Sequence, residues 1–128
     1  GKILLVRQWR NALDRYTLEI PAGARNFAAE SGEVCVAREL EEETGYRSEH
    51  IEWLVTIRSW PAFVDEQVEI FVARDLIPSN QMFDEEEAIE LEEHTIEELK
   101  EMIFRGEIQD SKTVAGLLAY AVRFKNKA

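Results

Sequence analysis

The sequence has few residues that could crosslink it or anchor it in a membrane. Cys35 is the only cysteine among its 128 residues, which excludes an internal disulfide and indicates a reducing compartment. No apolar run approaches the roughly 20 residues of a membrane-spanning helix, and no signal-peptide pattern opens the chain. We therefore expect a cytoplasmic protein that does not bind membranes.

Positive charge is also scarce. The chain has 15 Lys and Arg against 26 Asp and Glu, so its formal net charge at pH 7 is −11. This balance argues against binding a nucleic-acid backbone, and a phosphorylated substrate would have to meet local positive charge or a bound metal. With 45% hydrophobic residues, residues 1–128 fit one domain with its own core.

Glutamate is abundant instead, and its densest cluster lies near the end of a predicted helix. The helix is expected to begin near Ser31 and to end at Gly45. Glu39, Glu42 and Glu43 then share one face. There they repel one another by about 0.2–0.5 kcal/mol per pair and oppose the helix dipole. A hard cation would offset that repulsion, whereas a solvated acidic face is the alternative interpretation.

The remaining residues of this helix have simpler expected roles. Arg38 can pair with Glu42 four residues on, and an ordinary surface salt bridge is the alternative. Cys35 is expected to be a small packed side chain. The apolar residues expected to face a core are Val34, Val36, Ala37 and Leu40.

This helix and its approach resemble the Nudix box. The box reads Gly, five residues, Glu, seven residues, Arg-Glu, an aliphatic residue, any residue, Glu-Glu, any residue, Gly and an apolar residue. One departure is that six residues, not five, separate Gly23 from Glu30. The positions that match are Glu30, Arg38, Glu39, Leu40, Glu42, Glu43, Gly45 and Tyr46.

Strands and helices alternate along the rest of the chain. A capping box at Thr95 predicts a helix that stops near Gly106, and Asp110 to Thr113 opens a last helix. Mixed strands covered by helices on both sides give an α/β/α sandwich, which the Nudix resemblance also implies. Strands are predicted at residues 2–7, 17–20, 51–59, 67–73 and 88–92.

The chain begins inside its first predicted strand, without an initiator Met. We interpret it as a Nudix fold that lacks N-terminal strands or an N-terminal domain, either as a fragment or because another chain supplies the missing edge. An unpaired apolar edge strand promotes association. We therefore predict a homodimer in which the partner covers Lys2 to Arg7 or completes the site near Glu66.

Segments outside the box resemble the ADP-ribose pyrophosphatase (ADP-sugar diphosphatase) branch of the family. Trp60 and Ala62 stand where that branch has Ser and Gly, which changes one substrate-contacting loop. The resemblance implies a hydrolase that depends on Mg²⁺, with Mn²⁺ as the alternative ion. It would cleave the diphosphate of ADP-ribose or a related nucleoside diphosphate sugar into AMP and a sugar phosphate. The matching segments are residues 6–10, 19–23, 60–66 and 84–89.

The resemblance also assigns roles to individual residues. Glu85 would be the general base, although composition alone does not separate it from Glu86 and Glu87. Glu42 and Arg38 complete the catalytic set, and the expected metal ligands are Glu39, Glu43, Glu87 and the carbonyl of Ala22. The expected substrate contacts are Arg10, Ala24, Trp60 and Glu66. For each residue the alternative is an ordinary surface or loop position.

Two further functions stay open at this point. One is a Nudix pyrophosphatase that acts on nucleoside triphosphates or on other nucleoside diphosphate derivatives. The other is a catalytically silent Nudix module that binds a nucleotide or a protein partner. Outside the proposed site, Trp53 alternates with apolar neighbours and is expected in the core, and neither histidine has metal-ligand spacing.

Overall fold

The computed structural model describes residues 1–22, 30–59, 66–79 and 90–124. Several predicted site residues lie outside these ranges, and so does the side chain of Glu66, whose backbone begins a strand. The predicted residues outside the described ranges are Gly23, Ala24, Trp60, Ala62, Glu85, Glu86 and Glu87.

A three-stranded antiparallel sheet holds the beginning of the chain. Strand β1 (Ile3–Arg10) lies between β2 (Arg15–Glu19) and β7 (Glu90–His94). Strands β1 and β2 form a hairpin whose connection includes Asp14 with a positive φ of 52°, a conformation that Asp tolerates better than most residues. The hairpin sets the end of β2, Glu19, opposite Val6, and the end of β1, Arg10, opposite Arg15.

The remaining described strands form two antiparallel pairs. Strand β4 (His50–Ser59) pairs with β5 (Glu66–Arg74), and the short β3 (Tyr46–Arg47) pairs with β6 (Ile77–Pro78). Three helices pack with these strands in the described part of the chain. They are α1 (Gly32–Thr44), α2 (Ile96–Phe104) and α3 (Ser111–Phe124).

A buried apolar cluster joins the three-stranded sheet to helices α2 and α3. Its members come from β1, β2, both helices and the segment between them, so the cluster fixes the helices against one face of the sheet. Its members are Leu5, Leu18, Leu99, Ile108 and Leu117.

Helix α1 has the ends that the sequence predicts. The Ser31 hydroxyl accepts a hydrogen bond from the Val34 N–H at 3.2 Å, which satisfies one free donor of the first turn. Gly45 has a left-handed φ of 74°, and its N–H donates to the Glu41 carbonyl at 2.9 Å. A side chain at position 45 would strain this turn. The predicted helix limits are confirmed.

The expectation that β1 is an unprotected edge strand was wrong. Strand β7 pairs with it from Ile3 to Arg7, and β2 pairs with it from Val6 to Arg10. The partner β7 comes from 80 or more positions further along the chain, which is why local sequence did not reveal it. On the β2 side, residues 3–5 lack a ladder partner among the described residues.

Two predicted core positions face solvent instead. Val34 is 58% exposed and Trp53 is 50% exposed. Val34 lies in the first turn of α1, while Cys35 and Leu40 take the buried side of that helix. The indole of Trp53 donates to the Thr56 hydroxyl at 2.8 Å.

Among the described residues, none of the helices combines the length and the hydropathy of a membrane span.

Candidate active site

The acidic face of α1 is organised around one guanidinium. Arg38 donates to the Glu30 carboxylate at 3.0 and 3.3 Å and to Glu39 at 2.7 Å. The predicted pair with Glu42 is present but longer, at 3.4 Å. Glu30 is buried, so Arg38 provides the charge that its carboxylate needs. Arg38 therefore connects the approach to the helix with the helix itself.

Glu43 lies one helical turn after Glu39 in α1 and contacts the segment that follows β2. Its Oε2 accepts a hydrogen bond from the Ala22 backbone N–H at 2.9 Å. This contact brings Ala22, whose carbonyl is a predicted metal ligand, next to the predicted ligand Glu43, although it is the Ala22 N–H that makes the contact. The two residues come from different parts of the chain, Ala22 from the segment after β2 and Glu43 from α1.

Glu39 is a partly buried carboxylate of the predicted metal set, with 16% of its side chain exposed. Burial raises the pKa of Glu39 above its ordinary value, and the nearby Arg38 works in the opposite direction. Glu39 and Ala22 both line a cavity of about 1220 Å³, together with Lys112 from α3. The volume would accept a ligand of nucleotide size.

Arg10 ends β1 and is held by a buried acid. Its Nε and Nη2 each donate to Glu19 at 2.8 Å, which makes a two-pronged ion pair. The pKa of Arg10 is raised, first by this hydrogen bond and further by the charges of Asp110 and Glu43. The charge of Glu43 at the end of α1 thus acts on the predicted substrate contact Arg10.

The sequence analysis missed two charged residues at this place, Glu19 and Lys112. The Lys112 ammonium donates to Glu19 at 2.8 Å and to Asp110 at 2.9 Å. The same Asp110 carboxylate accepts the Thr113 N–H and hydroxyl, at 3.2 and 2.6 Å, and so caps α3. Glu19 stood in a matched segment, and Lys112 was read only as part of a helix start. No pattern in the sequence around Glu19 or Lys112 predicts the contact between them, because they are 93 positions apart.

Comparison with known proteins identifies the family of this arrangement. The NUDIX domain matches residues 1–117 of the chain. This chain belongs to the Nudix family. The identification agrees with the predicted resemblance and with the α/β arrangement of helices packed with strands. The predicted mixed sheet is not seen in the described residues, where all strand pairs are antiparallel.

Individual relatives of this Nudix chain carry more specific names. It is 41% identical over 116 residues to "Methanol dehydrogenase activator" from Bacillus methanolicus, covering 89% of this chain and 62% of that one. It is 36% identical over 126 residues to "ADP-ribose pyrophosphatase" from Bacillus subtilis (strain 168), covering 97% and 65%. The chain thus spans less than two thirds of the length of these relatives.

A solved structure supports the Nudix fold. The crystal structure of an ADP compounds hydrolase superposes with a TM-score of 0.89, covering 99% of this chain and 68% of the other. The two sequences are 21% identical, so this likeness concerns the fold. The predicted α/β fold class is confirmed.

The donor atoms on the acidic face are chemically suited to a hard cation. Within the described ranges, no three His, Cys, Asp or Glu side chains already converge as a metal cage. Mg²⁺ commonly uses one or two carboxylates and completes its shell with water and substrate phosphates. Glu39, Glu43 and the Ala22 carbonyl supply oxygen donors of this kind. Their role as ligands stays a prediction.

The described structure brings together only part of the predicted site. Arg38, Glu39, Glu42, Glu43 and Ala22 lie along the second half of α1 and against its end. The charge of Glu43 also acts on Arg10. The predicted base Glu85, the ligand Glu87 and the substrate contacts Ala24 and Trp60 fall outside the described residues. The histidines are not at this site: His94 pairs with Glu92 and Glu98, and His50 lies 3.8 Å from Asp75.

Proposed function

We propose that this chain is a Mg²⁺-dependent Nudix hydrolase that cleaves the diphosphate of ADP-ribose or a related nucleoside diphosphate sugar. The products would be AMP and a sugar phosphate. The observation that carries the proposal is the contact between Glu43 and Ala22 at the acidic end of α1. In this contact Glu43 accepts the Ala22 N–H, and the charge of Glu43 also acts on the cation Arg10. The name of the B. subtilis relative supports the choice of substrate.

Each residue of the proposed site would have its own role in diphosphate hydrolysis. Glu39, Glu43 and the Ala22 carbonyl would hold Mg²⁺, with Mn²⁺ as the alternative ion. The bound ion would neutralise charge that develops on the diphosphate. Arg38 orients Glu39 and Glu42, and Arg10 binds a phosphate or the terminal ribose. The remaining proposed roles are Glu85 as general base, Glu87 as metal ligand, and Ala24, Trp60 and Glu66 as substrate contacts.

The proposal includes a setting for the enzyme. Residues 1–128 would form one Nudix domain of a cytoplasmic protein that binds neither nucleic acid nor membrane, which the net charge of −11 and the single Cys35 support. It would be a homodimer. Residues 3–5, which lack a ladder partner on one side within the described ranges, support self-association. Sedimentation velocity at several concentrations tests this point.

A direct assay tests the activity. Purified protein is incubated with ADP-ribose, GDP-mannose and a nucleoside triphosphate, each with Mg²⁺, with Mn²⁺ and with a chelator. We expect fastest turnover for ADP-ribose, with AMP and ribose 5-phosphate as products and no turnover with the chelator. Preferential hydrolysis of the triphosphate would favour the alternative pyrophosphatase.

A binding role is the second candidate. Arg38 already pairs with Glu30, Glu39 and Glu42, so part of the repulsion on this acidic face is offset without a cation. The B. methanolicus relative is named as an activator of another enzyme. Nucleotide binding without hydrolysis of any compound in the panel would favour a silent module that binds a nucleotide or a protein partner.

A further inference from the structure

The Glu19 carboxylate at the end of β2 lies outside the acidic face of α1 and accepts four hydrogen bonds. It is almost fully buried, with 3% of its side chain exposed. Oε1 accepts from Arg10 Nη2 and Lys112 Nζ, and Oε2 accepts from Arg10 Nε and the Thr17 hydroxyl. These four hydrogen bonds use the acceptor capacity of a carboxylate. Glu19 therefore has no lone pair to offer a metal or a substrate.

The cations that Glu19 holds still have donors to offer. An ammonium has three N–H groups and a guanidinium five. The contacts of Lys112 with Glu19 and Asp110 use two of its donors, and Arg10 gives its Nε and one Nη2 donor to Glu19. Arg10 keeps 45% of its side chain exposed and Lys112 keeps 20%. Both can reach a ligand without leaving Glu19.

Glu19 also sets the distance between the two cations. Arg10 Nη2 and Lys112 Nζ each lie 2.8 Å from the same oxygen, Glu19 Oε1. The two nitrogens are thus at most twice that distance apart. Two like charges this close separate unless an anion lies between them. Without Glu19, Arg10 would lose both of these hydrogen bonds and Lys112 would keep only its contact with Asp110.

The pair is linked to the predicted metal ligands by a shared cavity and by charge. Lys112 lines the same cavity as Ala22 and Glu39, and Arg10 lies within the electrostatic influence of Glu43. Arg38, the cation of the acidic face, is already engaged by three carboxylates. Lys2, Arg74 and Lys112 line this cavity. Of these, Lys112 is the one that shares an acid, Glu19, with the predicted substrate contact Arg10.

We propose that Lys112 contacts the diphosphate of the substrate together with Arg10, and that Glu19 is a positioning residue that holds the two cations as one phosphate-binding pair. This inference rests on the proposed hydrolysis of a nucleoside diphosphate sugar and adds two residues to it. Glu19 acts only through the cations, whereas Lys112 touches the substrate.

A second ion-pair cluster of the same sheet offers a matched control. The Glu92 carboxylate of β7 contacts Arg7 of β1 and His94, much as Glu19 contacts Arg10 and Lys112. Arg7 and Arg10 are an odd number of positions apart in one strand, so they point to opposite faces. Glu92→Gln therefore removes a comparable acid without touching the proposed pair.

The test measures ADP-ribose hydrolysis and the binding of inorganic pyrophosphate by calorimetry for each variant. Glu19→Gln and Lys112→Met should each raise KM at least tenfold, change kcat less than threefold and weaken pyrophosphate binding by the same factor as KM. Lys112→Arg should restore most of the loss because it keeps the charge. Glu92→Gln should leave both quantities within twofold of the wild type, and circular dichroism confirms that each variant is folded.

A combined variant separates positioning from a general structural role. In an Arg10→Ala/Lys112→Met background, adding Glu19→Gln should change KM and pyrophosphate binding less than twofold, because the groups that Glu19 positions are gone. The proposal would be overturned if Glu19→Gln raised KM and weakened pyrophosphate binding in that background as much as it does alone. It would also be overturned if Glu19→Gln and Glu92→Gln changed these two quantities equally, or if the wild-type protein bound no pyrophosphate.

The same data distinguish this proposal from the proposed function. If the wild type hydrolyses no nucleoside diphosphate sugar but binds pyrophosphate in a manner that depends on Glu19 and Lys112, the phosphate-binding pair stands and the hydrolase assignment fails. If hydrolysis is normal in both variants, the hydrolase stands and the pair is overturned.

Discussion

The backbone N–H of Ala22 donates a hydrogen bond to the Glu43 carboxylate at 2.9 Å. It joins the segment after β2 to the last turn of α1. The carboxylate would otherwise face the negative end of the helix dipole with less compensation. The contact thus stabilises an acid at an unfavourable position and holds it beside the Ala22 peptide. The Glu43 carboxylate and the carbonyl of Ala22 belong to the predicted metal site.

The first prediction concerns the Glu43 charge. Glu43→Gln keeps an oxygen that can accept the Ala22 N–H but loses a charge that a cation would need. We expect kcat to fall at least about 100-fold, or about 2.7 kcal/mol of barrier, while the urea midpoint stays level or rises slightly. Glu41→Gln on the same helix is the control, since Glu41 contacts Ser79 instead. Near-normal turnover of Glu43→Gln at saturating Mg²⁺ would contradict the metal assignment.

The second prediction concerns the general base, which lies outside the described residues. We expect Glu85→Gln to lower kcat by about 10²–10⁴-fold with little change in substrate affinity. Glu86→Gln should do much less, because adjacent side chains point in different directions. The three single variants at positions 85, 86 and 87 are compared at saturating substrate and Mg²⁺. If Glu85→Gln is no slower than Glu86→Gln, the base is Glu87 or a carboxylate of α1.

Local chemistry explains which features could be predicted from the sequence. Ser31 and Gly45 set the ends of α1 through contacts within a few residues, and Thr95 does the same for α2, where its hydroxyl accepts the Glu98 N–H at 3.2 Å. The spacing of Arg38 and Glu42 likewise predicted a contact that is present. Each of these depends on helix geometry alone.

Contacts between distant segments could not be predicted in this way. The pairing of β1 with β7 and the bond from Lys112 to Glu19 both join the two ends of the described chain. Arg38 also prefers Glu30, eight positions earlier and outside the helix, to its helical neighbour Glu42. Such contacts depend on how the elements pack, and a single sequence gives no spacing rule for them.

The third prediction is a loss of stability in acid that depends on Glu19. Burial alone would raise the pKa of Glu19, but hydrogen bonds from Arg10, Lys112 and Thr17 outweigh burial and lower it from 4.5 to about 2. A lowered pKa stabilises the fold above pH 4.5, and this stabilisation disappears as the pH falls from 4.5 through about 2.

Urea unfolding across this range checks the prediction. The wild type should exceed Glu19→Gln in stability near neutral pH, and the difference should shrink steadily as the pH is lowered through the interval between the two pKa values. Glu97→Gln, at an exposed position of α2, should show no such trend. A difference between wild type and Glu19→Gln that is independent of pH would contradict the assignment.

The fourth prediction concerns His94, which lies 3.0 Å from Glu92 and 3.2 Å from Glu98. Its hydrogen bond to Glu92, followed by that to Glu98, raises the pKa of His94 above 6.5. The resulting stabilisation is complete below pH 6.5 and is lost as the pH rises through the raised pKa. The free energy of unfolding of the wild type should therefore exceed that of His94→Gln by about 0.5–1 kcal/mol in mild acid and match it in alkali, as measured by urea unfolding.

His50→Gln is the control, because His50 is largely exposed and lies 3.8 Å from Asp75. Equal pH trends for the two histidine variants would show that the Glu92–His94–Glu98 contacts do not stabilise the fold.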